Sequence, residues 1–336
     1  MKIAVLSPVA WRTPPRHYGP WEQIASNIAE GLHEAGAEVS LFATADSQTA
    51  GELCAVVPAG YEEDKNSDAK VSECMHISYL MEQAERFDII HNHFDFLPLT
   101  YSRLIPIPML TTIHGFSSPR IIPVYKRYND HTHYVSVSNA DRHPELNYTA
   151  TVYHGLRTED FPFGAAGGEY LLFMGRIHPD KGTWDAIALA RRSGRQLLIA
   201  GFVQDQRYFE EKIKPCVDNE QIVYLGPADP VKRKELLRNA HALVHLIHFA
   251  EPFGLSVAEA MMCGTPVLAF PEGAMPELIR DGETGFLVPT LEAAVERVPD
   301  LAGLSREACH HWASAQFSRE RMVRDYLAVY EQILGR

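Results

Sequence analysis

Residues 248–273 read HFAEPFGLSVAEAMMCGTPVLAFPEG. Gly254 and Leu255 open an apolar run at helical spacing, and TPVLAF follows as a short buried strand. A helix that leads straight into an apolar strand is part of a βαβ unit, the building block of a parallel sheet. Two glutamates, Glu251 and Glu259, bracket the turn and the helix start among residues that read as core. Carboxylates are rarely buried without a partner, so the stretch raises a question of function as well as fold.

The same alternation extends in both directions. Upstream, YLLFMGR, RQLLIAGF, QIVYLGP and ALVHLIH read as strands separated by helical or turn segments. Nearer the N-terminus KIAVLSP, AEVSLFAT, DIIHNHF, PMLTTIHG and THYVSVS are strands, with WEQIASNIAEGLHEAG and ISYLMEQAERF as helices. Between the two series lies GLRTEDFPFGAAGGE, rich in Gly and Pro, which predicts a linker near residues 156–169. The fold class expected is α/β, with two Rossmann-like doubly wound domains facing across a cleft. The first spans 1–157 and the second 168–318. The final segment, 319–336, is one amphipathic helix that packs on its own domain or returns to the first.

At 336 residues the chain is comfortable for two domains. Its five cysteines form no CxxC pair, which suits a reducing compartment and excludes a disulfide framework or a structural zinc site. The apolar run after Lys2 is short and lacks a cleavage site, so it predicts a strand and not a signal peptide. No run is long enough for a transmembrane segment, and the expected location is cytoplasmic. The net charge of −12 is shared by both halves. Residues 1–150 carry 11 Lys+Arg against 18 Asp+Glu, and the remainder 20 against 25. That argues against nucleic acid as a partner and against a broad grip on anionic lipid. Oligomeric state has no signal here.

The run ALVHLIHFAEPFGLSVAEAMMCGTPVLA resembles the signature of glycosyltransferase family 4, a nucleotide-sugar-dependent retaining group (glycosyl transferase group 1) with the GT-B fold. FMGRIHPDKG (173–182) and PELIRDGETGFLV (276–288) extend the resemblance in order and spacing, and TIHG and the first strand carry weaker echoes. The residues agree on physical grounds. The helix opening at Phe253, Gly254 and Leu255 offers free N–H groups and the positive end of a dipole to a diphosphate. Glu259, five residues into that helix, is placed to accept from ribose hydroxyls, and Glu251 from hydroxyls of the transferred sugar. On this reading the buried partners of the two glutamates are ligand hydroxyls. The plain alternative is that Glu251 caps the helix and Glu259 pairs with a lysine or arginine. Arg176 and Lys181 flank a turn after YLLFMG; the resemblance implies that they neutralise the leaving diphosphate, so no metal is required. The only acidic neighbour in sequence is Asp180.

In the first half, His114 ends a strand, and the resemblance implies a place beside the transferred sugar. His91 and His93 alternate onto one face of DIIHNHF. Metal binding, a nuclease-like site and an acceptor contact at His93 with Asp95 all remain open, as does plain structure. RHYGPWEQIASN carries Gly19-Pro20 where the family has paired glycines, so Pro20 donates no N–H to a phosphate, although Gly19 still permits close approach. Arg12, Tyr18 and Trp21 are acceptor-side candidates. His154-Gly155 and His248 are further departures from the family pattern.

The resemblance implies hexosyl transfer from a nucleotide-diphosphate sugar, UDP favoured, to a small or oligosaccharide hydroxyl acceptor, with no cofactor. It further implies front-face substitution at the retained anomeric carbon, with His114, Glu251, Arg176 and Lys181 carrying the chemistry. The base-facing segment AGFVQDQ (200–206) has no decisive signal. The rival readings are a phosphorylase or epimerase of the same fold, and a non-catalytic nucleotide-sugar-binding module.

Overall fold

The computed structural model describes residues 1–336, which form two compact units, Met1–Leu156 with Arg319–Arg336, and Arg157–Ser318. The first is built on a seven-stranded, all-parallel sheet. Its strands are β1 (Lys2–Leu6), β2 (Glu38–Phe42), β3 (Glu52–Cys54), β4 (Ile89–Asn92), β5 (Met109–Ile113), β6 (His133–Ser136) and β7 (Tyr148–Thr151), in the order β3-β2-β1-β4-β5-β6-β7. β1, β4 and β5 are buried along almost their whole length because both faces are covered.

The helix Pro20–Glu34 carries the chain from β1 to β2. The C-terminal helix Arg319–Leu334 belongs to this unit and crosses it closely. An added Cβ at Gly31 would lie 2.5 Å from Val323 Cγ2, so only glycine admits that approach. Arg319 anchors the return, its N–H donating to Leu156 O at 2.8 Å and its guanidinium to Glu34 at 2.6 Å.

The second unit holds a six-stranded parallel sheet in the order β10-β9-β8-β11-β12-β13. Its strands are β8 (Leu171–Met174), β9 (Leu197–Ala200), β10 (Ile222–Gly226), β11 (Ala242–His245), β12 (Val267–Ala269) and β13 (Gly285–Leu287). In each sheet the order reverses once, between β1 and β4 and between β8 and β11. Connections from the two strands at such a point diverge to opposite faces and leave a crevice at their carboxyl ends, where ligands of open α/β sheets bind.

Two expectations need correction. Three strands, β3, β7 and β13, were not expected. They are edge strands of three or four residues with mixed burial, too short for periodicity to register. The segment expected as a free linker, 156–169, is strapped onto the second unit. Phe161 is buried, the Gly164 N–H donates to Cys263 O at 3.0 Å, and Arg306 ties Gly164 to the carbonyls of Arg238 and Ala240. Its glycines serve close packing, since a Cβ at Gly168 would collide with the Asn239 carbonyl. No helix is long and apolar enough to cross a membrane.

Candidate functional site

In the second unit the loops leaving β8 and β11 meet at the switch point. Gly182 sits in the left-handed region (φ 69°), and a Cβ there would collide with the Leu246 carbonyl, so the two loops touch through backbone. His248 N–H donates to Asp180 O at 2.8 Å across the same seam. This contact brings Lys181 to Glu251. Lys181 Nζ donates to Glu251 Oε2 at 2.6 Å and lies 4.3 Å from the centre of the Phe249 ring. Both charged side chains are largely buried, at 15% and 16% exposed.

Arg176, on the same loop, donates to Gln204 and lies 3.4 Å from Asp180 Oδ2. Asp180 is also 2.6 Å from His178 Nδ1, and His248 reaches Asp185 at 2.8 Å. Glu251 leads into the helix Leu255–Met262, whose cap Gly254 is left-handed at φ 97°. The Val257 and Ala258 amides bond the Gly254 carbonyl, so Leu255 and Ser256 hold the donors that precede the helix's internal bonds. Phe253 was expected to act through its backbone at this helix opening. Its ring is buried edge-on against Phe317, so only its backbone is offered to a ligand.

Glu259 is 6% exposed and accepts from Arg233 through both Nε, at 2.8 Å, and Nη2. Burial raises its pKa while Arg233 opposes the rise. The two glutamates are therefore not waiting for ligand hydroxyls as their first partners. Each is paired with a protein cation, Glu251 with Lys181 and Glu259 with Arg233, which is the plain alternative for Glu259. The reason is physical: a buried carboxylate stays ionised only beside a counter-charge. Both Arg233 bonds go to Oε2 of Glu259.

Sequence reasoning missed Arg233, one cation among several in VKRKELLRN, and His245 at the end of β11. His245 lies in an apolar strand and drew no reading from the sequence. It is buried, its Nε2 lies 4.0 Å from Glu251 Oε2, and burial lowers its pKa to about 4.

In the first unit three imidazoles hydrogen-bond in series at the carboxyl ends of β4 and β5. His93 Nδ1 is 2.9 Å from His114 Nε2, and His114 Nδ1 is 3.3 Å from His154 Nε2. Burial holds all three pKa values below the ordinary range, most strongly at His93 and His114, so the chain is neutral. Trp21 stacks on His114 at 5.4 Å between ring centres. Both His114 nitrogens are thus engaged, against the expectation of a nitrogen free for a sugar hydroxyl. His93, expected at the acceptor edge, is fully buried and acts only through His114.

His91 is structural. Its Nδ1 is 2.6 Å from Tyr330 OH and its Nε2 is 2.8 Å from Thr112 Oγ1. Asp95, with φ 75°, accepts from Tyr125 OH and from Ser117 Oγ at 3.0 Å, so it is already occupied. Tyr18 is exposed beside Trp11. Gly19 caps the helix Pro20–Glu34 at φ 148°. Arg12 turns away to Gln48 and the Pro14 carbonyl. Glu22, in the first turn of that helix, was also missed; it is buried and accepts from the Trp11 N–H at 3.2 Å.

Comparison with known proteins gives consistent results. Residues 157–317 match the family of glycosyl transferases group 1, and residues 22–144 match Glycosyltransferase Family 4. Glycogen synthase of Mycobacterium tuberculosis is 28% identical over 278 residues, covering 72% of this chain and 66% of that protein. D-inositol 3-phosphate glycosyltransferase of Mycolicibacterium smegmatis is 30% identical over 226 residues, covering 60% and 50%. The chain thus spans about half to two thirds of the length of these curated relatives.

Among solved structures, sucrose-phosphate synthase of Thermosynechococcus elongatus superposes with a TM-score of 0.77 at 18% identity, covering 100% of this chain and 99% of that one. Anabaena HepE in complex with UDP gives 0.76 at 18% identity, covering 99% and 100%. AviGT4, a glycosyltransferase involved in avilamycin A biosynthesis, gives 0.74 at 22%, covering 100% and 98%. At these identities the likeness is one of fold.

Proposed function

The chain belongs to glycosyltransferase family 4, the group 1 glycosyl transferases of GT-B fold, and from that premise we propose that it moves a hexosyl group from a nucleotide-diphosphate sugar to a hydroxyl acceptor with retention at the anomeric carbon. The observation that carries the reading is the convergence of Arg176, Lys181, Glu251 and the start of the helix Leu255–Met262 at the carboxyl ends of β8 and β11. Two cations and the amides of Leu255 and Ser256 at a helix start are the chemistry that a departing diphosphate needs. We assign this unit, from about residue 168 to 318, to the donor.

In that role Lys181 would turn from Glu251 to the phosphates, and the freed carboxylate would take sugar hydroxyls. Glu259 would accept from the ribose through the oxygen that Arg233 leaves open. Gly254 and Leu255 would meet the diphosphate through backbone, as would Phe253. UDP is the favoured carrier. Its support is that a neighbour of the same fold, HepE, was solved with UDP and with UDP-glucose.

We assign the first unit, about residues 1–157 with the helix 319–336, to the acceptor. Tyr18 and Trp21 offer aromatic faces there, Gly19 offers close backbone approach, and Asp95 offers a carboxylate that must first release Tyr125 or Ser117. His114 would serve the transferred group once His154, the more distant of its two partners, gives up Nδ1. Arg176 and Lys181 are the charges the proposal offers the leaving group, and it invokes no metal. The five free cysteines suit a reducing compartment, and we place the reaction in the cytoplasm.

Calorimetric titration with UDP, GDP and ADP tests the donor site. One nucleotide binds, and Lys181→Ala weakens it about tenfold or more, the value of one charge-assisted contact. Binding of none of the three, or equal binding by the variant, removes the reading. Retention is tested by following the anomeric proton of the first product by NMR.

A further inference from the structure

His245 is the last residue of β11, and its imidazole is 7% exposed. Its Nε2 has no hydrogen-bond partner, although buried ring nitrogens are normally satisfied. It lies 4.0 Å from Glu251 Oε2, too long for a hydrogen bond. That same oxygen takes Lys181 Nζ at 2.6 Å. A neutral imidazole and an ammonium therefore both approach one carboxylate oxygen. The lysine cation makes the spot hostile to a metal ion, and the three groups suit an uncharged ligand group that both donates and accepts.

A single oxygen about 2.8 Å from each of two atoms that are 4.0 Å apart makes an angle of roughly 90° between them, within the range a hydroxyl accepts. We infer that His245 Nε2 and Glu251 Oε2 together read one hydroxyl of the transferred sugar, the hydroxyl donating to Glu251 and accepting from the Nε2–H. The inference rests on the donor-site reading and adds to it a specificity-determining residue. The ring is suited to the task because it stays neutral across the physiological range, its pKa depressed by burial to about 4. A donor lacking that hydroxyl leaves both the imidazole and the carboxylate unsatisfied, which is how a polar site rejects an isostere more sharply than an apolar one.

The test compares the binding of UDP with that of UDP-glucose and UDP-galactose, and of their singly deoxygenated forms, in wild type, His245→Phe and His245→Gln. UDP lacks the sugar and reports the diphosphate and ribose contacts alone. His245→Phe is expected to hold UDP within about twofold of wild type while weakening the preferred UDP-sugar about tenfold, the value of one hydrogen bond. It should also erase the preference for the hydroxyl at one ring position only. His245→Gln, which keeps an N–H, should recover part of the loss.

Equal weakening of UDP and UDP-sugar overturns the inference and leaves a packing role. So does unchanged discrimination at every hydroxyl, which would mean that Nε2 serves a buried water only. If wild type binds no UDP and no UDP-sugar, the donor-site reading fails first and takes this inference with it. A His245→Phe chain that does not fold leaves His245→Gln to decide by the same comparison.

Discussion

Glu22 offers a prediction that depends on the architecture of the first unit and not on any ligand. The carboxyl sits in the first turn of the helix Pro20–Glu34, 3% exposed, and accepts only backbone N–H groups. Burial pushes its pKa from 4.5 up to about 7, and the nearby charge of Glu63 adds to the rise. An acid whose pKa is higher in the folded chain keeps its proton there after the unfolded chain has lost it. Stability therefore falls as pH climbs from 4.5 through 7, and the full cost is present above about pH 8.

The gap between 4.5 and about 7 corresponds to roughly 3 kcal/mol. Glu22→Gln preserves shape and the acceptor for Trp11 N–H but cannot ionise. Urea unfolding followed by tryptophan fluorescence should give nearly equal stability for variant and wild type at pH 4. At pH 8 the variant should be about 2–3 kcal/mol more stable. A constant difference at both pH values refutes the argument that an ionising, buried Glu22 strains this loop.

Two further perturbations follow from the buried pairs. Arg233→Met removes the counter-charge of Glu259 and should cost about 2 kcal/mol; this is below the loss for a fully buried pair because the Arg233 side chain is 36% exposed. Burial already raises the Glu259 pKa, and losing Arg233 raises it further, so the deficit should grow as pH rises above 4.5 and shrink near pH 4. Urea melts at the two pH values check both sign and size. Tyr330→Phe removes the 2.6 Å bond to His91 Nδ1 and leaves a buried nitrogen unsatisfied. The expected loss is about 1–2 kcal/mol in the same assay, and an unshifted midpoint would count against the docking of the C-terminal helix described above.

What was legible in the sequence divides by physical scale. β1 and β11 announce themselves because a strand covered on both faces is largely apolar, and the helix Leu255–Met262 because Gly254 marks its start. The edge strands β3, β7 and β13 escape because three or four half-exposed residues leave no periodic trace. Residues 156–169 looked like a linker because Gly and Pro signal loops and close packing alike; Gly164 and Gly168 serve the second purpose.

The candidate site was partly legible. Lys181 and Glu251 stand seventy positions apart, and their 2.6 Å pairing depends on the contact of two loops at Gly182. Arg233 and His245 gave no local signal, since a cation on a polar helix and a histidine in an apolar strand acquire meaning only from their neighbours in space. The serial imidazoles were harder still. His93, His114 and His154 come from three separate segments, and the engagement of both His114 nitrogens is a property of the assembled sheet.

On the proposed function the second unit binds a nucleotide sugar through Lys181 and Glu251 for glycosyl transfer. The most direct measurement is nucleotide release from a panel of UDP-, GDP- and ADP-sugars, comparing wild type with Glu251→Ala. The account predicts slow release from one donor, lowered about 100-fold or more in the variant, whose thermal unfolding stays near that of wild type. Release at equal rates in both proteins would contradict it.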